Sequence, residues 1–158
     1  MKNAVMQDNE SVDNGEYITA MIGRQLFGMP IDQVHDVFLP QNMTPVPQAR
    51  SEVAGVLNLR GRIVTAIDMR RRLGLPPRTG DGTPMAVGIE YKNESYGLII
   101  DQVGEVMRIA QESIEPSPAN LDARWREIAS GVCRLEGQLM VLLDVERIVA
   151  ITTEPAAA

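Results

Sequence analysis

The chain has 158 residues, of which 44% are apolar and only six aromatic, and it carries a net charge of −6. That is enough apolar material for a core packed mainly by Val, Ile, Leu and Met, while the acidic balance argues against a general nucleic-acid binder and against peripheral binding to anionic lipid. One cysteine, Cys133, excludes an intrachain disulfide and fits a reducing compartment.

Residues 1–15 are polar and acidic, without the apolar centre of a signal peptide, and are expected to form a disordered tail. Strand signals then dominate. Tyr17–Ile22 and Gln25–Met29 read as a hairpin turning at Gly23-Arg24, and Val34–Leu39 as a third strand. Pro45 and Pro47 favour an extended connection. Val56–Leu59 and Arg62–Ile67 flank a tight turn at Arg60-Gly61. A short helix follows over Met69–Leu73, with Asp68 as its N-cap and Gly74 as its stop. The stretch 74–84, GLPPRTGDGTP, reads as a linker.

Beyond it, Met85–Tyr91 and Ser95–Ile100 form a hairpin across 92–94, followed by Val103–Ile109. Residues 112–130 are irregular, with room for one helical turn. Ile128–Leu135 and Gln138–Leu143 form another hairpin across Glu136-Gly137, and Val145–Ile151 reads as a closing helix. The last residues, 153–158, are expected to be a second tail. The longest uninterrupted apolar run is Leu139–Leu143, far too short to span a bilayer. The expectation is a soluble cytoplasmic protein without membrane insertion.

The chain repeats itself. FGMPIDQVHDV (27–37) and YGLIIDQVGEV (96–106) are identical at six of eleven positions. GVLNLRGRIVTAIDMRRRL (55–73) and GVCRLEGQLMVLLDVERIV (131–149) are identical at six of nineteen. The two matches run in the same order at nearly the same offset, which reads as duplication of a small β unit of about five strands. Such a unit hides its edges by curling into a barrel. Gly61 and Gly137 then fall at the same turn, where a positive φ is expected, and are structural. Arg60 matches Glu136, and Asp36 matches Glu105. The fold therefore tolerates either charge at the turn, which leaves Arg60 free to be a solvated residue or to meet a partner.

Catalytic chemistry finds little footing. The only histidine, His35, and the only cysteine, Cys133, lie in different copies, and Cys133 aligns with the apolar Leu57. No phosphate-binding loop is present, and no acid cluster has calcium-loop spacing. The arginines at 60, 62, 70–72 and 78 read either as a solvated helix face plus the turn, or as an electrostatic patch for an acidic partner. The methionines read as core fillers, except Met85, an adaptable side chain at the first strand after the linker. Trp125 reads as the cover of a barrel end.

The run VAGVLNLRGRIVTAIDMRRRLGL, with YGLIIDQVGEV and FGMPIDQVHDV, resembles CheW-type chemotaxis coupling proteins over roughly 16–150. The resemblance implies an all-β fold of two intertwined five-stranded SH3-like barrels with short helices. It gives a domain over 16–152 made of two duplicated halves, roughly 16–75 and 85–150, whose strands are free to exchange. It implies a non-enzymatic adaptor, with no cofactor or metal, that couples the histidine kinase CheA to methyl-accepting chemoreceptors in membrane-associated arrays. The same module occurs in the kinase's regulatory domain and in CheV, but 158 residues leave no room for a kinase core or a receiver domain.

By resemblance, Asp36 pairs with Arg60. A groove between the barrels, drawing on Val34, Asp36, Leu59, Arg60 and Met85, takes the receptor's helical tip, and Val34 is expected on the same strand face as Asp36. The kinase's regulatory domain binds end to end through barrel surfaces. Asn120 stands where the family usually has a large apolar residue, which weakens a ring-forming contact through that loop. The alternatives are a coupler for a non-chemotactic kinase pathway, or a small-molecule-binding β-barrel protein.

Overall fold

The computed structural model describes residues 15–78 and 82–153. The expected tails, and the centre of the linker at 79–81, lie outside the described residues apart from Gly15 and Thr153. Eleven strands and three short α-helices are present among the described residues: β1 (Glu16–Ile22), β2 (Gln25–Pro30), β3 (Val34–Phe38), β4 (Val53–Leu59), β5 (Arg62–Asp68), α1 (Met69–Arg72), β6 (Met85–Tyr91), β7 (Glu94–Ile100), β8 (Gln102–Arg108), β9 (Ile114–Glu115), α2 (Ala123–Ile128), β10 (Ala129–Leu135), β11 (Gln138–Leu143) and α3 (Val145–Val149).

The strands form two sheets. One runs β3-β6-β7-β5-β4, the other β8-β1-β2-β11-β10-β9. Each draws strands from both sides of the linker, so the two barrels are intertwined. The duplication becomes geometric here. β7 lies parallel to β5 with Val64 opposite Ser95, and β2 lies parallel to β11 with Met140 opposite Leu26. Those two pairs differ by the offsets read from the sequence. In both barrels the parallel pair sits at the centre and an antiparallel strand closes each side.

Three cores hold this arrangement. Phe38 and Leu57, from the two edge strands of the first sheet, pack on one cluster with Val64, which curls that sheet into a barrel. Met107 and Ile114, at the two ends of the second sheet, share a cluster with Met140, Leu142 and Cys133. The largest core lies between the barrels and takes Ile22, Phe27, Ile67, Leu98 and Val141, among others. Successive residues of a strand point to opposite faces. Along β11, Met140 and Leu142 therefore fill the barrel while Val141 and Leu143 fill the central core. Burial on both faces is why Leu139–Leu143 reads as an unbroken apolar run. Full burial of each such side chain contributes about 1.5–3 kcal/mol.

The helices follow local chemistry. The Asp68 carboxylate accepts from the backbone N–H of Arg70 at 3.0 Å and caps α1, and Asp144, its counterpart, accepts from Arg147 N–H at 3.4 Å to cap α3. Residues 123–128, where one helical turn was expected, form α2. Its Trp125 Nε1 donates to Leu73 O at 3.0 Å, and the indole packs on Phe27, binding α2 to the chain that follows α1. Gly61 (φ +83°) and Gly137 (φ +82°) are left-handed turn residues, as the repeat implied.

The arginine-rich segment divides: Arg60, Arg62 and Arg71 are exposed, whereas Arg70, Arg72 and Arg78 are drawn into the structure. Arg72 is 8% exposed and donates to Glu127 Oε1 at 3.1 Å, with its Nε unpartnered. Arg70 and Arg78 both grip Asp101 through N···O distances of 2.7–3.1 Å, and Gly23 N–H donates to the same carboxylate at 2.8 Å. Burial pushes the Asp101 carboxyl up, but Arg70, the Gly23 amide and Arg78 outweigh it and hold it below the ordinary aspartate range. These bonds fasten α1 and the first part of the linker, through Asp101, to the β1–β2 turn. Among the described residues no helix is long and apolar enough to cross a membrane, and no group of three or more His, Cys, Asp or Glu is placed to hold a metal ion.

Candidate functional site

The turn joining β4 to β5 is built to present Arg60. Gly61 N–H donates to Asn58 Oδ1 at 2.9 Å, which closes the turn. Arg60 itself is left-handed, at φ +53°. That conformation is uncommon and costly for a side-chain-bearing residue. Its guanidinium crosses to β3, where Nη1 donates to Asp36 Oδ2 at 3.0 Å. Glu136, the matching residue in the second copy, is not among the residues with positive φ. The strained backbone is thus particular to the copy that carries the cation.

Asp36 reaches this position through an irregularity in β3. Val34 pairs with Ile89 and Asp36 with Gly88, so one extra residue, His35, is inserted on β3. Val34 consequently faces the central core with Ile89 and Val37, while Asp36 shares the barrel side with Gly88 and Phe38. The expectation that Val34 and Asp36 lie on one face is corrected: the bulge breaks the alternation it relied on. Gly88 matters because a side chain there would collide with Asp36 Oδ1.

Around this pair lies a cleft of about 260 Å³ at the mouth of the first barrel. Its apolar floor comes from Phe38, Leu59 and Val64, which pack in the barrel's own cluster. A second charged set lines its rim: Glu90 Oε1 lies 3.2 Å from His35 Nε2, and Arg62 Nη2 donates to Glu90 Oε2 at 3.4 Å. The cations are outermost. The side chains of Arg60 and Arg62 are 72% and 56% exposed, against 29% and 31% for Asp36 and Glu90.

Three of the five residues singled out in the sequence, Asp36, Leu59 and Arg60, therefore line one cleft. Val34 and Met85 do not join them. Both are half-buried against the central core, and Met85 pairs with Ile100 at the far end of β6. Every residue lining the cleft belongs to the first barrel, so it is a barrel mouth and not a groove between barrels. His35, Arg62, Gly88, Glu90 and Ser95 complete it and were not selected from the sequence as its parts. No Cys–His nucleophile forms: Cys133 is buried in the second barrel, where burial pushes its thiol up, and His35 stands at the mouth of the first.

The profile of the CheW-like domain matches residues 16–152. The chain belongs to the CheW-like family. Its relatives include the probable chemotaxis protein CheW of Rhizobium etli, 27% identical, in an alignment that covers 90% of this chain and 92% of that one. The chemotaxis protein CheW of Helicobacter pylori is 29% identical, covering 90% and 84% respectively. Among solved structures, the scaffolding protein TtCheW of Thermoanaerobacter tengcongensis superimposes with a TM-score of 0.74 at 26% identity, covering 83% of this chain and 89% of that one. The duplicated two-barrel architecture is thus that of the CheW fold, and the family is one of scaffolds and adaptors.

Proposed function

We propose that this CheW-like chain is a non-enzymatic chemotaxis adaptor that joins methyl-accepting chemoreceptors to the regulatory domain of a CheA-type histidine kinase in arrays at the cytoplasmic face of the membrane. The receptor's helical tip docks at the first barrel, with Arg60 held in register by Asp36 and with Leu59 as apolar contact. Val34 and Met85 act from the adjoining central-core surface and shape the approach between the barrels. The kinase domain engages a barrel surface elsewhere. Signal passes because two partners are held in a fixed relation, with no chemistry on the adaptor.

The observation that carries this reading is the Arg60–Asp36 pair itself. A surface ion pair contributes only about 0–1 kcal/mol to stability, yet here it is combined with a left-handed arginine whose conformation costs about 1–3 kcal/mol. Folding gains little from that combination, whereas binding gains a fixed, outward-facing cation. The test is pull-down of the chain with receptor-bearing membranes and, separately, with the kinase regulatory domain. Arg60→Glu is expected to weaken the first and spare the second at an unchanged melting temperature. Unaltered sedimentation of the Arg60→Glu protein with receptor membranes would remove Arg60 from the site.

A further inference from the structure

The two copies act as an internal control for the cleft. Their central strand pairs are equivalent, so each lining residue of the first barrel has a counterpart in the second. Where the second barrel pairs Leu26 with Met140, the one packed against its core and the other buried in it, the first pairs Ser95 with Val64. Where the second has Thr19, whose Oγ1 donates to Glu105 O at 2.8 Å, the first has Gly88 beneath the Asp36 carboxylate. Three positions of the first barrel thus carry smaller side chains, and Val64, Gly88 and Ser95 all line the cleft at its mouth.

The rim diverges in the same direction. Arg60, Arg62 and Glu90 stand where the second copy has Glu136, Gln138 and Met21. A volume reduction alone could be drift, and so could a charge change alone. Together, on one opening, they describe a hole with an apolar floor and a cationic lip. The lip is cationic toward the outside because the two carboxylates lie behind the guanidiniums and orient them.

We infer that this cleft is a socket for one bulky apolar side chain of the receptor's docking helix, and that Arg60 and Arg62 hold a carboxylate one helical turn away on the same helix. Residues three or four apart share a helix face, so a single amphipathic, acidic segment fills the hole and meets the lip at once, in the helix-in-groove manner. Glu90 is then a positioning residue for Arg62, as Asp36 is for Arg60. The inference rests on the adaptor reading and adds to it the class of residue that the receptor must present.

The test borrows the second barrel's own side chain. Ser95→Leu fills the socket without changing any charge. Binding is measured to a soluble receptor-tip fragment and to the kinase regulatory domain. The socket requires that Ser95→Leu weaken the receptor fragment about tenfold or more, while binding to the kinase domain stays within about twofold. Val64→Met is the second filling variant, and decides the matter if Ser95→Leu lowers the melting temperature. Arg62→Gln is expected to weaken receptor binding and to flatten its dependence on salt. Receptor binding within about twofold of the unsubstituted protein in the filled variants would overturn the socket, as would an equal loss toward both partners. If the unsubstituted protein binds neither partner, the adaptor reading fails instead, so the two failures are separable.

Discussion

The Asp36 carboxylate lies over Gly88 so closely that a methyl group on that glycine would take the place of its Oδ1. The glycine on β6 therefore sets where the acid on β3 stands, and the acid sets where Arg60 points. Gly88→Ala is expected to push Asp36 aside, to lower stability by about 1–3 kcal/mol through overpacking, and to reduce receptor binding about as much as Asp36→Ala does. Comparing the two variants by co-sedimentation with receptor membranes checks this. If Gly88→Ala binds like the unsubstituted protein, Asp36 does not position Arg60.

The left-handed backbone of Arg60 sets stability against function. Glycine adopts φ +53° without steric cost. Arg60→Gly is therefore expected to leave stability unchanged or raise it by up to about 1 kcal/mol, and at the same time to lose receptor binding. Urea denaturation read beside the pull-down separates the two effects. A destabilised Arg60→Gly protein would mean that the ion pair to Asp36 outweighs the strain.

Much of this architecture was legible because the chain describes itself twice. Runs of β-formers placed the hairpins, the repeats placed the turn glycines Gly61 and Gly137, and Asp68 was readable as a cap. The fold class followed from a duplicated unit of about five strands that hides its edges by curling, together with the family resemblance. The site was legible only in part. Alternation put Val34 beside Asp36, and a single inserted residue at His35 reversed that, since a bulge leaves no mark in a period-two pattern. Arg70, Arg72 and Arg78 looked like surface because their acceptors, Asp101 and Glu127, lie more than twenty residues away in the chain. The cleft did leave a trace: Ser95 against Leu26 and Val64 against Met140 are visible in the alignment of the copies, but what opens there depends on which strands meet.

Asp101 contributes to the acid sensitivity of the fold. Its carboxyl is held below its unfolded value, so the stability it contributes is fully present above the ordinary aspartate value of about 3.9 and is lost as pH falls through the lower folded value. Asp101→Asn is expected to cost about 2 kcal/mol at neutral pH, the scale of hydrogen bonds to a charged group. The gap to the unsubstituted protein should narrow as pH drops below about 4. Urea midpoints at several pH values give the comparison, and a gap independent of pH would exclude the carboxylate as its source.

Arg72 is buried with an unpartnered Nε, and its carboxylate partner Glu127 is largely exposed. Such a charge gains little from its exposed partner Glu127 and forgoes hydration, with Glu52 the other acid whose field reaches it. Arg72→Met is expected to be neutral or stabilising by about 1–2 kcal/mol, because the apolar chain fills the same space and Glu127 stays in water. Thermal unfolding decides it. A large loss would show that the bond from Arg72 Nη2 to Arg147 O, 3.4 Å, holds α1 to α3 more firmly than its length suggests.

Bridging of two partners by one adaptor is most directly measured by recruitment. Receptor-bearing membranes are sedimented with the kinase regulatory domain, with and without this chain. The chain is expected to increase the amount of regulatory domain in the pellet, and Arg60→Glu to abolish the increase while still binding that domain in solution. Recruitment of the regulatory domain that is the same whether or not the chain is present would contradict the bridging role.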